Sequence, residues 1–110
     1  MKTILVILFM FPAIMTKAQS AAADTVANRM AQKMKDSLSL TDTQQQQVYQ
    51  VNLQLHLLKM SRRQQYAGTD SLRYHIQRVE NMRDSLYRII ISDEKYQLYL
   101  EKKRNIINNN

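Results

Sequence analysis

His56 and His75 are the only histidines in the chain, and histidine has the widest chemical use of any side chain near neutral pH. As a catalytic base, either one would need a nucleophile or a carboxylate nearby, but no Ser–His–Asp or paired-carboxylate spacing supports such a site. The two histidines fall in different predicted helices, so a zinc or copper site would need a carboxylate or a second subunit to complete it. We therefore expect neither an enzyme nor a resident metal or cofactor.

The composition excludes further classes of protein. There is no Cys among the 110 residues, which excludes disulfides, Cys-ligated zinc and thiol chemistry. The only glycine is Gly68, so the chain has no Gly-rich loop that could cradle a nucleotide phosphate. The length favours a single domain, and the formal net charge of +7 favours acidic partners.

A helix-start motif lies at residues 40–44. In Leu40-Thr41-Asp42-Thr43-Gln44, Thr41 as N-cap and Gln44 three residues later predict a capping box. Asp42 in the first turn suits the helix dipole. A hydrophobic staple would need an apolar residue at Gln45, so Leu40 must be buried elsewhere. Later in the chain, Ile91-Ser92-Asp93-Glu94-Lys95 repeats the apolar, hydroxyl and acidic order but ends in Lys95 instead of Gln, with Ser92 as a simple cap.

A basic stretch lies between the second and third predicted helices. It contains five basic residues against Asp70 alone, a local charge of +4, with Met60 and Tyr66 among them. One interpretation is a binding surface for acidic or apolar polypeptides, and the alternative is a solvated helix end. The basic residues are Lys59, Arg62, Arg63, Arg73 and Arg78. Arginines recur every five residues from Arg73 to Arg88, a rotation of roughly 140° per step, so they spread around the third helix.

The first two helices are predicted from apolar spacing. The first runs from about Asp24, as N-cap, to Leu38, with Met30 and Met34 in a stripe that indicates core packing or, alternatively, an adaptable binding face. The second runs from Thr41 to Tyr66. The alternation from Val51 to Leu57 is also typical of a half-buried strand, but its leucines and the lack of Gly or Pro favour a helix. Such a helix is apolar on more than one face and would need a partner.

Two further helices complete the predicted fold. The third runs from Ser71 to Ile90 with Asp70 as its cap, and it carries the pairs Glu80–Arg83 and Asp84–Arg88 on its exposed side. The fourth follows a break at Ser92-Asp93. There, the positive charges of Lys102, Lys103 and Arg104 would interact favourably with the negative C-terminal end of the helix dipole. Asn108 to Asn110 should fray.

Residues 1–18 have the layout of a secretory signal peptide. Lys2 gives a positive start, Ile4 to Ile14 is apolar, and Ala18 is a small residue before Gln19. The apolar run is too short for the roughly 20 residues of a spanning helix, although a retained membrane anchor is the alternative. We expect cleavage near Ala18–Gln19, export to a periplasm and a single helical domain over residues 19–110. An exported chain rarely meets nucleic acid, so no nucleic-acid partner is expected.

The predicted architecture is all-α, with four amphipathic helices arranged as two helical hairpins. Removing the leader leaves a domain whose core is thin, because a small chain buries a small share of its surface. Dimerisation is the usual remedy, so we expect a homodimer.

The motifs resemble those of the Spy/CpxP family of periplasmic proteins, which carry the Leu-Thr-x-x-Gln motif at the start of paired helices. Leu40, Thr41 and Gln44 match the first motif, and Ile91 and Ser92 match part of the second. The resemblance implies an ATP-independent chaperone or envelope-stress protein, built as a curved homodimeric cradle that holds unfolded or partly folded envelope proteins. The basic stretch is the candidate surface for such clients, with contacts at Lys59, Met60, Arg62, Arg63, Tyr66, Arg73 and Arg78. Alternatives are a regulatory partner of one sensor or envelope protein, and contact with a membrane surface.

Overall fold

The computed structural model describes residues 17–108, which form four α-helices and no strand within that range. These are α1 (Lys17–Leu38), α2 (Asp42–Gln65), α3 (Leu72–Ile90) and α4 (Asp93–Asn108). The all-helical prediction is confirmed, and the strand alternative for residues 51–57 is wrong because they lie inside α2. The predicted signal peptide lies outside the described residues except for residues 17 and 18, as do residues 109 and 110 of the predicted frayed end.

Helix α1 starts at Lys17 and not at the predicted cap Asp24. Three consecutive alanines precede Asp24, and alanine has the highest helix propensity, so the helix continues through this position. The Asp24 carboxylate instead accepts hydrogen bonds from the Asn28 side chain, at 3.3 Å, and from the Tyr49 hydroxyl on α2. The hydrogen bond to Asp24 raises the pKa of Tyr49. Asp24 therefore ties α1 to α2.

The core is one apolar cluster built from all four helices. Met30 and Met34 are buried, which confirms that the methionines of α1 pack in the core. Leu40 and Ile91, from the two helix-start motifs, are also buried in it. Beside the core-facing residues, α2 has a second row of apolar side chains that includes Leu53 and Leu57. These two side chains are half-buried, so only part of this row is exposed. The other large side chains of the cluster are Leu38, Val48, Val51, Leu55, Leu58, Val79, Leu86, Tyr87, Tyr96, Tyr99 and Ile106.

The C-terminus of α1 is stabilised by lysines of α4. Ser39 has a φ of 57°, and the Leu40 amide donates to the Lys35 carbonyl at 3.3 Å, as in a Schellman motif. Lys95 donates to the Ser39 carbonyl at 2.6 Å, and Lys102 donates to the Ser37 carbonyl at 3.2 Å. The prediction that Lys102 serves the end of its own helix is therefore wrong, because α4 continues to Asn108 and Lys102 points to α1.

The helix starts differ in how they are capped. The Thr41 capping box is confirmed, since the Gln44 amide donates to the Thr41 hydroxyl at 3.1 Å and the Thr41 amide donates to the Gln44 side chain at 3.0 Å. Ser92 caps α4, accepting from the Lys95 amide at 3.2 Å. Asp70 does not cap α3. Ser71 occupies that position with helical backbone angles and makes no capping bond.

Replacing Thr41 by Ala is expected to lower the free energy of unfolding by about 1 kcal/mol, because the change leaves an amide at the start of α2 without its partner. Urea unfolding followed by circular dichroism measures the loss. Thr43→Ala is the matched control, since Thr43 is an exposed threonine in the same first turn. Equal losses for the two variants would contradict a capping role for Thr41.

Candidate functional site

A cleft of about 770 Å³ lies between α3 and α4. Near the turn that joins them, the two helices are held together by an edge-to-face contact of Tyr87 and Tyr99, whose ring centres are 5.0 Å apart. Farther from that turn the helices separate, and Lys59 of α2 lines the space between them. This volume falls in the range of ligand-binding pockets.

The cleft combines apolar and charged side chains. Ile76 of α3 and Leu100 and Ile107 of α4 give it an apolar lining, and Leu100 is 42% exposed. Three basic and two acidic residues share the lining, a net charge of +1. They are Lys59, Lys103, Arg104, Glu80 and Glu101. The cleft can therefore contact apolar groups, and Arg104 is the basic residue of its lining that takes part in no described ion pair.

Glu80 connects the cleft to the core through two basic partners. Its carboxylate pairs with Lys59 of α2 and with Arg83 of its own helix. Burial would raise the pKa of Glu80, but the Arg83 and Lys59 charges outweigh it and hold the pKa below its usual value. The Arg83 side chain is only 4% exposed, so the predicted pair Glu80–Arg83 exists but is buried and not exposed. The prediction of its position was wrong because Lys59 and α2 cover it.

A second polar group holds α3 to α4. Asp84 accepts from the Tyr99 hydroxyl at 2.8 Å and from Lys103 at 2.6 Å. Burial and the bond to Asp84 raise the pKa of Tyr99 far above its ordinary value. The predicted partner of Asp84 was Arg88, which instead lies over the Tyr96 ring at 5.4 Å. Asp84 therefore pairs across helices, and the prediction of a pair within α3 is wrong.

The third polar group lies inside the core. Asn52 is 1% exposed, donates to the Ala27 carbonyl at 3.3 Å and accepts a hydrogen bond from the Tyr87 hydroxyl. Burial raises the pKa of Tyr87 strongly. The three helices α1, α2 and α3 are thus joined through one buried amide.

A separate surface surrounds the turn between α2 and α3, which we call the tip. It comprises Arg62, Arg63, Tyr66, Arg73, Tyr74, His75 and Arg78. The Tyr66 and His75 rings stack with centres 3.6 Å apart, and Tyr74 meets His75 edge-on at 5.2 Å. Gly68, with a φ of 76°, makes the turn possible.

The predicted client-binding residues are divided between these two surfaces. Lys59 lines the cleft, where its charge is paired with Glu80. Met60 is half-buried on α2. The remaining five, Arg62, Arg63, Tyr66, Arg73 and Arg78, lie at the tip. The structure therefore does not bring the seven residues together on one face.

Sequence reasoning missed the cleft residues Ile76, Leu100 and Ile107 as a possible binding surface. Their spacing is the same as that of core residues, so the sequence alone predicted burial for them. Only the burial of Arg83 could have been predicted from the sequence, because this residue occupies a position of the apolar stripe between Val79 and Leu86.

The two histidines lie in different environments. His75 is part of the tip, whereas burial and the charges of Lys59, Arg63 and Arg83 lower the pKa of His56. Within residues 17–108, no three histidine or acidic side chains lie close enough to hold a metal ion. None of the four described helices is long and apolar enough to cross a bilayer.

Comparison with known proteins gives no relative. No protein-family model matches the chain, and no match is found among curated proteins or among solved structures.

Proposed function

We propose that the protein is an exported, ATP-independent binding protein that holds unfolded or partly folded polypeptides in the α3–α4 cleft. The observation that carries this proposal is the lining of the cleft, where Ile76, Leu100 and Ile107 accompany basic side chains in an open space of about 770 Å³. Unfolded chains expose apolar side chains together with charges, so they offer both kinds of contact. The motif resemblance supports the same class of function.

The charges of the cleft favour reversible binding. Without residues 1–18 the chain has 14 basic and 9 acidic residues, and this net charge of +5 speeds encounter with acidic clients. The gain falls as salt increases. Glu80 and Glu101 lie among the basic residues and limit the affinity for any acidic segment. A weak complex suits a protein without a nucleotide site, because its clients must leave without an energy source.

The homodimeric cradle implied by the resemblance is part of the same proposal. Among the described residues, the large apolar side chains that are exposed are Tyr74, Ile89 and Leu100. Leu100 belongs to the cleft, so pairing of two clefts would give one longer concave surface. Light scattering of the active protein gives the mass of the species that binds clients.

The test is suppression of aggregation of a chemically denatured globular protein without ATP. Leu100→Gln is expected to weaken suppression about fivefold, because a client would no longer bury an apolar side chain there. Ile89→Gln is the matched control, since Ile89 is 66% exposed and lies outside the cleft. The double variant Arg62→Glu/Arg63→Glu tests whether the tip also contacts clients.

Two outcomes would contradict the proposal. Equal activity of Leu100→Gln and Ile89→Gln would remove the cleft as the client site. No suppression by the unaltered protein at severalfold molar excess, together with one saturable crosslinked partner, would favour the regulatory alternative.

A further inference from the structure

The four arginines of the tip have no acidic partner among the described residues. Within the described part of the chain, the ion pairs involve Lys35, Lys59, Arg83 and Lys103, and none involves an arginine of the tip. The four tip arginines outnumber its one acidic neighbour, Asp70, giving a net charge of +3. Arg63 and Arg73 are exposed. The tip is therefore a concentrated and uncompensated positive surface.

The same surface has an ordered aromatic centre. Tyr74 is 58% exposed, and its hydroxyl accepts a hydrogen bond from Arg78 at 3.2 Å while the guanidinium lies 5.7 Å from its ring centre. On its other side the ring meets His75, which stacks on Tyr66. Tyrosine rings of this kind, apolar with a polar end, are enriched at the level of lipid headgroups.

We propose that the tip binds the surface of a bilayer that contains anionic lipids. Residues 67–71 are all exposed and project from the ends of α2 and α3 with arginines on both sides. A projecting tip can meet a flat surface, whereas an extended polypeptide makes more contacts in a groove such as the α3–α4 cleft. The charge and the exposed tyrosine both complement anionic headgroups. This contact is independent of client binding in the cleft.

The expected preference for anionic lipid follows from the charge of the tip. Each basic residue near an anionic surface contributes about a fivefold gain in binding, so a net charge of +3 gives about a hundredfold preference over neutral lipid. Sedimentation with vesicles measures it, using phosphatidylcholine alone and phosphatidylcholine mixed with phosphatidylglycerol. Because screening weakens exposed charges, the preference should decrease as salt increases.

Three variants assign the effect to the tip. Arg63→Glu/Arg73→Glu should abolish the preference, because it changes the net charge of the tip from +3 to −1. Asp70→Asn should strengthen binding to anionic vesicles about fivefold, because it removes the one acidic neighbour of the tip arginines. Arg29→Glu/Arg88→Glu is the control, because it makes the same charge change at two exposed arginines on α1 and α3, outside the tip and the cleft, and should retain most of the binding.

A tryptophan reporter shows which surface meets the lipid. The chain has no Trp, so Tyr74→Trp and Leu100→Trp each introduce a single indole, one at the tip and one in the cleft. Anionic vesicles with brominated chains should quench the first and not the second. Equal binding to both vesicle types, equal losses in the two double variants, or quenching only at position 100 would overturn the proposal. Tip-dependent binding of polyglutamate without binding to vesicles would also overturn it, in favour of an acidic polypeptide.

Discussion

Replacing Glu80 by Gln is expected to lower the free energy of unfolding by about 3 kcal/mol, although the side chain keeps its size and its polar end. The change removes the carboxylate that Lys59 and Arg83 share. Arg83 is 3% exposed and cannot reach water, so its charge would remain buried without a partner and would repel Lys59. For a domain of this size, such a loss is a large part of the total stability.

Urea unfolding at neutral pH measures this effect. Glu101→Gln is the matched control, because Glu101 is an exposed glutamate on α4 and its replacement should change stability by less than about 0.5 kcal/mol. The double variant Glu80→Met/Arg83→Met should lose less stability than Glu80→Gln alone, since it leaves no buried arginine charge. A single variant no less stable than the control would show that the pairing contributes nothing.

Acid should reproduce the substitution in the unaltered protein. The two basic partners hold the pKa of Glu80 below its usual value, so the carboxylate is favoured in the folded state. Its contribution is therefore complete above the unfolded pKa, near 4.5, and is lost as pH falls through the folded value. The stability difference between the unaltered protein and Glu80→Gln should thus shrink as the pH is lowered from 6 towards 3.

The sequence predicted local features of this fold better than contacts between helices. The bounds of α2 agreed to one residue at each end, because Thr41 and Gln44 form a capping box that depends only on neighbouring residues. The start of α1 was wrong since Asp24 has the residue type of a cap, but its carboxylate is used by Tyr49 of another helix. Nothing near Asp24 in the sequence specifies that partner.

The candidate site could not be predicted for the same reason. Lys59 was assigned to the tip from its position in the sequence, but it lies almost two turns before the end of α2 and therefore faces Glu80. Leu100 and Ile107 have the spacing of core residues, and whether such residues are covered depends on where α3 and α4 separate. That separation is set by contacts such as Tyr87 with Tyr99, between residues distant in the chain.

The basic residues of this protein thus serve different purposes. Lys95 and Lys102 stabilise the end of α1, and Lys59, Arg83 and Lys103 pair with acids between helices. Only the charges left over, above all those of the tip, are available for partners. A count of basic residues taken from the sequence therefore overstates the number of positive charges that are available for binding.

Raising the pH from 9 to 11 is expected to lower the free energy of unfolding by about 3 kcal/mol through Tyr87 and Tyr99 alone. Burial raises the pKa of both hydroxyls, so both stay protonated in the folded state. In the unfolded chain they ionise near pH 10, and the folded state then binds more protons than the unfolded one. The contribution of these two tyrosines to stability is therefore fully present below pH 10. Above pH 10 it decreases by about 1.4 kcal/mol per pH unit for each tyrosine.

Tyrosinate absorbance and circular dichroism, recorded together, check this result. The chain has six tyrosines, and the signal of these two should rise only when the helices unfold. Tyr99→Phe should be about 1 kcal/mol less stable than the unaltered protein at pH 7, because Asp84 loses a donor. Above about pH 10.7 the order should reverse, since the variant has one fewer hydroxyl to ionise on unfolding and this difference then exceeds the lost hydrogen bond. The exposed Tyr74→Phe should give no such crossing, and parallel curves for both variants would mean that Tyr99 ionises freely in the folded protein.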